Sequence, residues 1–215
     1  MRVALYYAPL PDDPLTHLSS TWFTNAPIPE PTRSDITTEP RNYGFHATLK
    51  PPMRLKNGTT WNDFQQAVQS TAAKIAPFDL PPLAVTDLRG FLALCETTPC
   101  PPLQVLADAC VEQLDPFRAP PSDEELTRRR RANLSPEQDA MLVRWGYPYV
   151  FNTWFFHMTL TRRLSDAEKS TILPAAEAWF APALTIPRRV EDICIFTQSA
   201  PTAAFTLTQR IKLAS

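Results

Sequence analysis

The sequence predicts an α+β protein of antiparallel sheets flanked by helices, and three observations predict it. Strand-like and helix-like stretches alternate along the chain. Several strand pairs are joined by connections too short for a parallel crossover. One strand pattern, Phe-His-x-Thr-Leu, occurs twice, 111 residues apart, at Phe45–Leu49 and Phe156–Leu160. A repeat of that kind suggests two similar halves, each contributing one copy.

Taken in order, residues 3–8 read as a strand, followed by a short helix from Pro14 to Phe23. Residues 25–41, rich in Pro, Thr and charge, read as a surface loop. Tyr43 to Lys50 reads as a strand closed by Pro51-Pro52. A helix over 60–75 follows from the spacing of Trp61, Phe64, Ala67, Val68, Ala72 and Ile75. Strands near 82–87 and 90–95 come next, then a helix near 102–114 with Leu103, Leu106, Ala107, Cys110 and Leu114 on one side. Ser122 and Glu125 have the form of a capping box. Ser135-Pro136 opens another helix, with proline at its first position. Trp145 to Tyr149 is an aromatic-rich turn. Residues 153–160 read as a strand, 165–180 as a helix, and 190–197 and 204–212 as two last strands.

Composition narrows the function. The chain of 215 residues is 44% hydrophobic, enough for a real core, and carries a formal net charge of −1 with a pI near 6.3. A chain that grips long nucleic acid carries a basic excess, so a small phosphorylated substrate is expected, with no stable nucleic-acid partner. Its four glycines, Gly44, Gly58, Gly90 and Gly146, lie far apart. No GxGxxG or Walker loop can be assembled from them, which excludes nucleotide binding by a glycine-rich turn. The four cysteines show no zinc spacing, so no metal and no cofactor is expected. The apolar run at the N-terminus is too short for a signal-peptide core or a membrane span. The expectation is a soluble, cytoplasmic protein without a membrane partner.

The repeat carries the chemistry. In a strand, residues i and i+2 share a face, so His46 and Thr48 look out together, as do His157 and Thr159. Ala47, Met158, Phe45 and Phe156 then face the core. Opening a cyclic phosphodiester needs a base for water and an acid for the leaving oxygen. Two imidazoles, one neutral and one protonated, can serve both. The threonine hydroxyls can donate to the non-bridging oxygens as charge builds at phosphorus. Lys50, two residues beyond Thr48, is expected on the same face as a fixed positive charge. The residue types leave open which histidine is the base. A single His-x-Thr would more often be structural, but two of the three histidines sit in the repeat. The third, His17, reads as structural.

At these residues the sequence resembles the two-histidine phosphoesterase superfamily, LigT-like, whose hallmark is a pair of His-x-(Thr/Ser) motifs. The stretches Arg41–Pro52, Phe117–Pro120, Trp145–Val150 and Phe156–Thr161 look like a narrower bacterial branch of unknown activity, DUF1045-like. Genes of that branch often lie beside those for phosphonate breakdown. The resemblance covers nearly the whole chain. It implies a bilobal, pseudo-two-fold duplicated fold with a central cleft lined by His46, Thr48, His157 and Thr159. It also implies one domain over 1–215 of two interleaved lobes, with the first motif in 43–52 and the second in 154–161. By gene association it suggests 5-phosphoribosyl 1,2-cyclic phosphate as a substrate, beside 2′,3′-cyclic nucleotides. The second motif departs from the expected pattern by running into Arg162-Arg163, either phosphate contacts or solvated side chains.

Further candidates are Tyr43 and Tyr147, which could stack on a base or sugar, although packing explains such aromatics as well. Arg128 to Arg131 occupy four consecutive helical positions and cannot all face one ligand. A solvated helix with one or two inward arginines is expected. Two rival functions remain: a non-catalytic binder of a nucleotide or phosphosugar, and an enzyme that processes RNA ends.

Overall fold

Strand β1 (Arg2–Tyr7) is buried along nearly its whole length and pairs with two neighbours at once. The structure is a computed structural model that describes residues 1–30 and 32–214. Pro31, inside the expected 25–41 loop, and Ser215, the last residue of the expected domain, lie outside them. The remaining elements are α1 (Pro14–Asn25), α2 (Thr32–Tyr43), β2 (Ala47–Met53), α3 (Trp61–Ala72), β3 (Phe78–Leu80), β4 (Leu83–Asp87), β5 (Leu92–Glu96), α4 (Pro101–Gln113), α5 (Asp123–Arg130), α6 (Pro136–Trp145), β6 (Met158–Thr159), α7 (Asp166–Leu184), β7 (Arg188–Val190), β8 (Asp192–Gln198) and β9 (Thr206–Lys212).

Seven strands form one sheet in the order β4-β5-β6-β2-β1-β8-β9, and β3 pairs with β7 separately. All strand pairs are antiparallel. The architecture is therefore α+β, with antiparallel sheets flanked by seven α-helices among the described residues. The two motif strands lie side by side in the middle of the large sheet, in register at Ala47↔Met158. Continuing that antiparallel register sets His46 opposite Thr159 and Thr48 opposite His157, so an approximate dyad runs between the two motifs.

One face of the sheet carries the main core. Val3, Leu5, Tyr7, Ala47, Leu49 and Met158 meet Leu15 and Trp22 of α1, Ile36 of α2, Phe64 and Val68 of α3, Leu106 of α4 and Phe180 of α7. Burying an aliphatic or aromatic side chain of this size stabilises the fold by about 1.5–3 kcal/mol. The other face carries a small cluster that includes Tyr6, Phe196 and Phe205. The residue types facing the core at the motifs agree with the strand parity: Ala47, Met158 and Phe156 are buried, and half-buried Phe45 packs against the core.

Several expectations are corrected. Most of the segment read as a loop over 25–41 belongs to helix α2, with Pro40 inside it and Ile36 fully buried; the helix runs on to Tyr43, so the strand expected from Tyr43 starts only at Ala47. Pro51-Pro52 does not end β2 but lies within it. The strand expected over 153–160 is two residues long: Thr153 closes a 3₁₀ turn, and Trp154 to His157 run irregularly before Met158. The short pair β3 and β7 was not anticipated. The capping boxes at Ser122 and Ser135 are both formed.

Candidate active site

Tight local turns deliver both histidines to the sheet. Gly44 adopts φ +75°, a left-handed conformation that a side chain would strain. Its carbonyl then accepts the Nδ1–H of His46 at 2.9 Å. His157 repeats the device, its Nδ1 lying 3.1 Å from the Phe155 carbonyl oxygen. A carbonyl accepts only, so the contact fixes the proton on Nδ1. In the neutral form of each ring Nε2 is thereby left without a proton. Thr48 Oγ1 sits 3.3 Å from Nε2 of His46.

Both motif strands are pinned from outside by tryptophan. Trp154 Nε1 donates to the Thr48 carbonyl at 2.8 Å, and Trp22 Nε1 donates to the Leu160 carbonyl at 3.1 Å. Thr161 Oγ1, buried at the end of the second motif, accepts the backbone N–H of Leu92. These bonds hold the presenting backbone, which precise catalytic geometry requires.

His46, Thr48, His157 and Thr159 line one cleft of about 880 Å³, a size suited to a small ligand. Tyr43 and Tyr147 line it too, as does Arg162. Tyr43 stacks on Phe205 with ring centroids 5.6 Å apart, and Tyr147 lies under the Arg129 guanidinium at 4.7 Å. Arg162 is held between Asp35 and Glu168, so its charge is largely matched within the fold.

The two imidazoles differ in surroundings. His46 stacks on Tyr6 at 3.6 Å between centroids. Burial and then the nearby His157 lower its pKa to about 4, although the Gly44 carbonyl works against that shift. His157 stacks on the exposed ring of Phe155 at 4.6 Å. Burial lowers its pKa as well, opposed by the hydrogen bond to Phe155.

Lys50 is a correction. It is 2% exposed, and its ammonium donates to the Val111 carbonyl at 2.9 Å, with Asp115 3.8 Å away. The cause is a register shift between β1 and β2: Tyr6 pairs with Thr48, but Leu5 pairs with Lys50. Leu49 is the extra residue of a bulge, and a bulge reverses the faces that follow it. Lys50 thus turns to the core face, where it satisfies a carbonyl in the last turn of α4.

The cleft also holds residues that the sequence did not single out, among them Arg2, Tyr6, Phe91 and Thr161. Tyr6 and Tyr7 are adjacent in a strand buried on both faces, so no alternation marks which one faces the cleft. Of the arginine run, Arg128 and Arg129 line the cleft, while Arg130 pairs with Asp139 at 2.7 Å. Arg118 of the Phe117–Pro120 stretch bonds Asp115 and the Arg144 carbonyl. A Cβ at Gly146 would lie 2.9 Å from its guanidinium. That stretch therefore braces the aromatic turn.

Among the described residues, no three or more His, Cys, Asp or Glu side chains gather as a metal-binding group. The four cysteines are free. No described helix is long and apolar enough to cross a membrane.

A family profile described as "Protein of unknown function (DUF1045)" matches residues 48–206. The chain belongs to that family. The DUF1045 match runs from Thr48 of the first motif through the whole of the second. The chain is 38% identical over 227 aligned residues to ribose 1,5-bisphosphate phosphokinase PhnN of Janthinobacterium sp. (strain Marseille), covering 98% of this chain and 50% of that protein. It is 32% identical to the protein of the same name from Laribacter hongkongensis (strain HLHK9), covering 99% of this chain and 52% of that one. This DUF1045 chain thus spans about half the length of the curated relatives it matches. Among solved structures it is similar to E. coli LigT in its apo form, with a TM-score of 0.47 and 14% identity over 100% of this chain and 98% of that one.

Proposed function

We propose that this protein is a phosphoesterase that opens a small cyclic phosphodiester by acid–base catalysis shared between His46 and His157. The observation that carries the proposal is the matched presentation of the two histidines. Each donates Nδ1–H to the carbonyl two residues before it, which leaves Nε2 without a proton in the neutral ring, and both line one cleft with a threonine two residues on. The two motifs are the equivalent elements of two interleaved halves in one domain.

His46 is the base in this reading. Held neutral at ordinary pH by burial, it takes a proton from water on Nε2 as the water oxygen bonds to phosphorus. The ring P–O bond breaks, and protonated His157 gives its Nε2 proton to the departing oxygen. Thr48 and Thr159 donate to the non-bridging oxygens as phosphorus becomes five-coordinate. The product is a phosphomonoester beside a free hydroxyl, and proton exchange with water restores both rings. This chain needs no metal for these proton transfers. Tyr43 and Tyr147 flank the sugar.

The substrate class is a cyclic phosphate on a ribose, either 5-phosphoribosyl 1,2-cyclic phosphate or a 2′,3′-cyclic nucleotide. The names of the PhnN relatives support ribose phosphates. Those names also raise kinase chemistry as a second reading, but the four glycines here are isolated and form no phosphate-cradling loop.

The test is phosphorus NMR of the metal-stripped protein with each cyclic phosphate, using the His46→Ala/His157→Ala double variant as control. Ring opening by the wild type alone is expected. Wild-type protein that opens neither ring, or that instead consumes ATP with a ribose phosphate, would overturn the proposal.

A further inference from the structure

The protein as a whole is slightly acidic, with a formal charge of −1, yet its cleft is not. Arg2, Arg128, Arg129, Arg162 and Arg163 line it against a single carboxylate, Glu39. Arg162 is matched by Asp35 and Glu168. Among the described residues, Arg2, Arg128 and Arg129 have no carboxylate within ion-pairing distance. Arg2 spends its Nε on the neutral Gln198 amide, and Arg129 lies over the Tyr147 ring. Burial holds the Arg129 pKa below its ordinary value, so an uncompensated cation is being kept partly out of water. Such an arrangement costs stability unless an anion completes it.

These groups gather on the His46 side. Tyr6 is 0% exposed and stacks on His46, and its hydroxyl is buried without a hydrogen-bond partner among the described residues. An unsatisfied buried donor costs about 1–3 kcal/mol. Tyr43, Tyr147 and Arg2 are near enough to act on the ionisation of that same hydroxyl. The side of the cleft beside His46 is therefore lined with phenols and unpaired guanidinium groups, more cationic capacity than one phosphodiester monoanion between two histidines can use.

We propose that this side of the cleft is a second anion subsite. Arg128 and Arg129 from α5, with Arg2 from β1, take a phosphomonoester carried by the same molecule whose cyclic phosphodiester lies between the histidines. This rests on the phosphoesterase reading and sharpens it: the preferred substrate is a doubly phosphorylated sugar or nucleotide. A guanidinium pair suits the dianionic end of such a ligand, because its planar donors bind phosphate oxygens two at a time.

The test is binding, so that it stands apart from turnover. Calorimetry compares adenosine 2′,5′-bisphosphate with adenosine 2′-monophosphate on the wild type, Arg128→Ala, Arg129→Ala and Arg129→Lys. The wild type is expected to favour the bisphosphate by about tenfold or more, the worth of one charge-assisted hydrogen bond. Either alanine variant closes most of that gap, and Arg129→Lys recovers part of it. Exposed Arg128 gives a variant whose folding is not in question, checked by thermal melting. Equal affinity of the two ligands for the wild type would overturn the subsite. So would a preference that survives in the alanine variants. If the preference is present and Arg-dependent but no cyclic phosphate is opened, the subsite stands and the proposed chemistry falls.

Discussion

The same pentapeptide is set into two unlike surroundings. Around His46 the sheet closes in: its ring lies on the fully buried Tyr6 and near Phe196, and its pKa falls to about 4. Around His157 the packing partner, Phe155, is itself 42% exposed, and Phe91 meets the ring edge-on at 6.0 Å. The backbone device that fixes the tautomer is identical in both. The difference teaches that one short motif, set down twice, yields two imidazoles whose proton affinities are set apart by packing. In the proposed mechanism the dry one serves as the base, and the wetter one holds the proton more readily.

The largest expected effect follows from removing either ring. His46→Asn or His157→Asn should lower kcat by about 10²–10⁴-fold, the usual worth of positioned acid–base catalysis. Losses below tenfold for either variant would break the two-histidine account. Thr48→Val and Thr159→Val should each cost about 10²-fold, at the low end for a donor to developing oxyanion charge. A cost confined to KM would make the hydroxyls ground-state contacts.

The pH dependence comes next. In the proposed mechanism His46 works as base above its pKa of about 4, and His157 works as acid below its own, which burial sets under the ordinary histidine value. The kcat/KM profile of the free enzyme should therefore peak between about 4 and 6.5. Linkage has a definite sign. With His46 lowered only in the folded state, its contribution to stability is present above about 6.5 and is lost as pH falls towards 4. Tyr6→Leu, which removes the ring sealing His46, should raise the His46 pKa towards 6.5 and carry the acid limb of the profile with it. NMR titration of the imidazole reads this directly. An unmoved pKa would mean that Tyr6 is not what keeps His46 dry.

The smallest expected effect is that of Lys50→Met. The Lys50 pKa is lowered to about 8, chiefly by burial, and its partners belong to α4 and the turn after it. Asp115 keeps Arg118 and Arg144 as partners, so an apolar side chain of similar length at position 50 leaves no uncompensated buried charge. Activity should stay within about threefold, since Lys50 does not line the cleft. A loss as large as that of a threonine variant would return Lys50 to the phosphate.

These contrasts track what could be read from residues alone. The paired motif was legible because alternation along a strand is local, and it placed His46, Thr48, His157 and Thr159 on one face as the structure does. Lys50 was misplaced because a bulge at Leu49 leaves no local mark and depends on pairing with β1. Helix α2 was hidden by the same Pro and Thr residues that mark loops. Only its packing against α1, with Ile36 in the core, makes it a helix. The arginines of α5 were legible as a helix with one or two of them turned inward, as Arg128 and Arg129 are, but which ones was not legible. Which of four adjacent positions turn inward is decided by how α5 and α6 pack, a tertiary matter.

The division of roles between the two histidines is tested most directly by changing the leaving group. Ring opening of a 2′,3′-cyclic nucleotide expels a poor alkoxide that needs an acid, whereas a p-nitrophenyl phosphodiester expels a phenolate that does not. With His157 the acid, His157→Asn should lose about 10²-fold or more on the cyclic substrate and keep activity within about tenfold on the p-nitrophenyl ester. His46→Asn should lose heavily on both. The reverse pattern, or equal losses on both esters for both variants, would contradict the account.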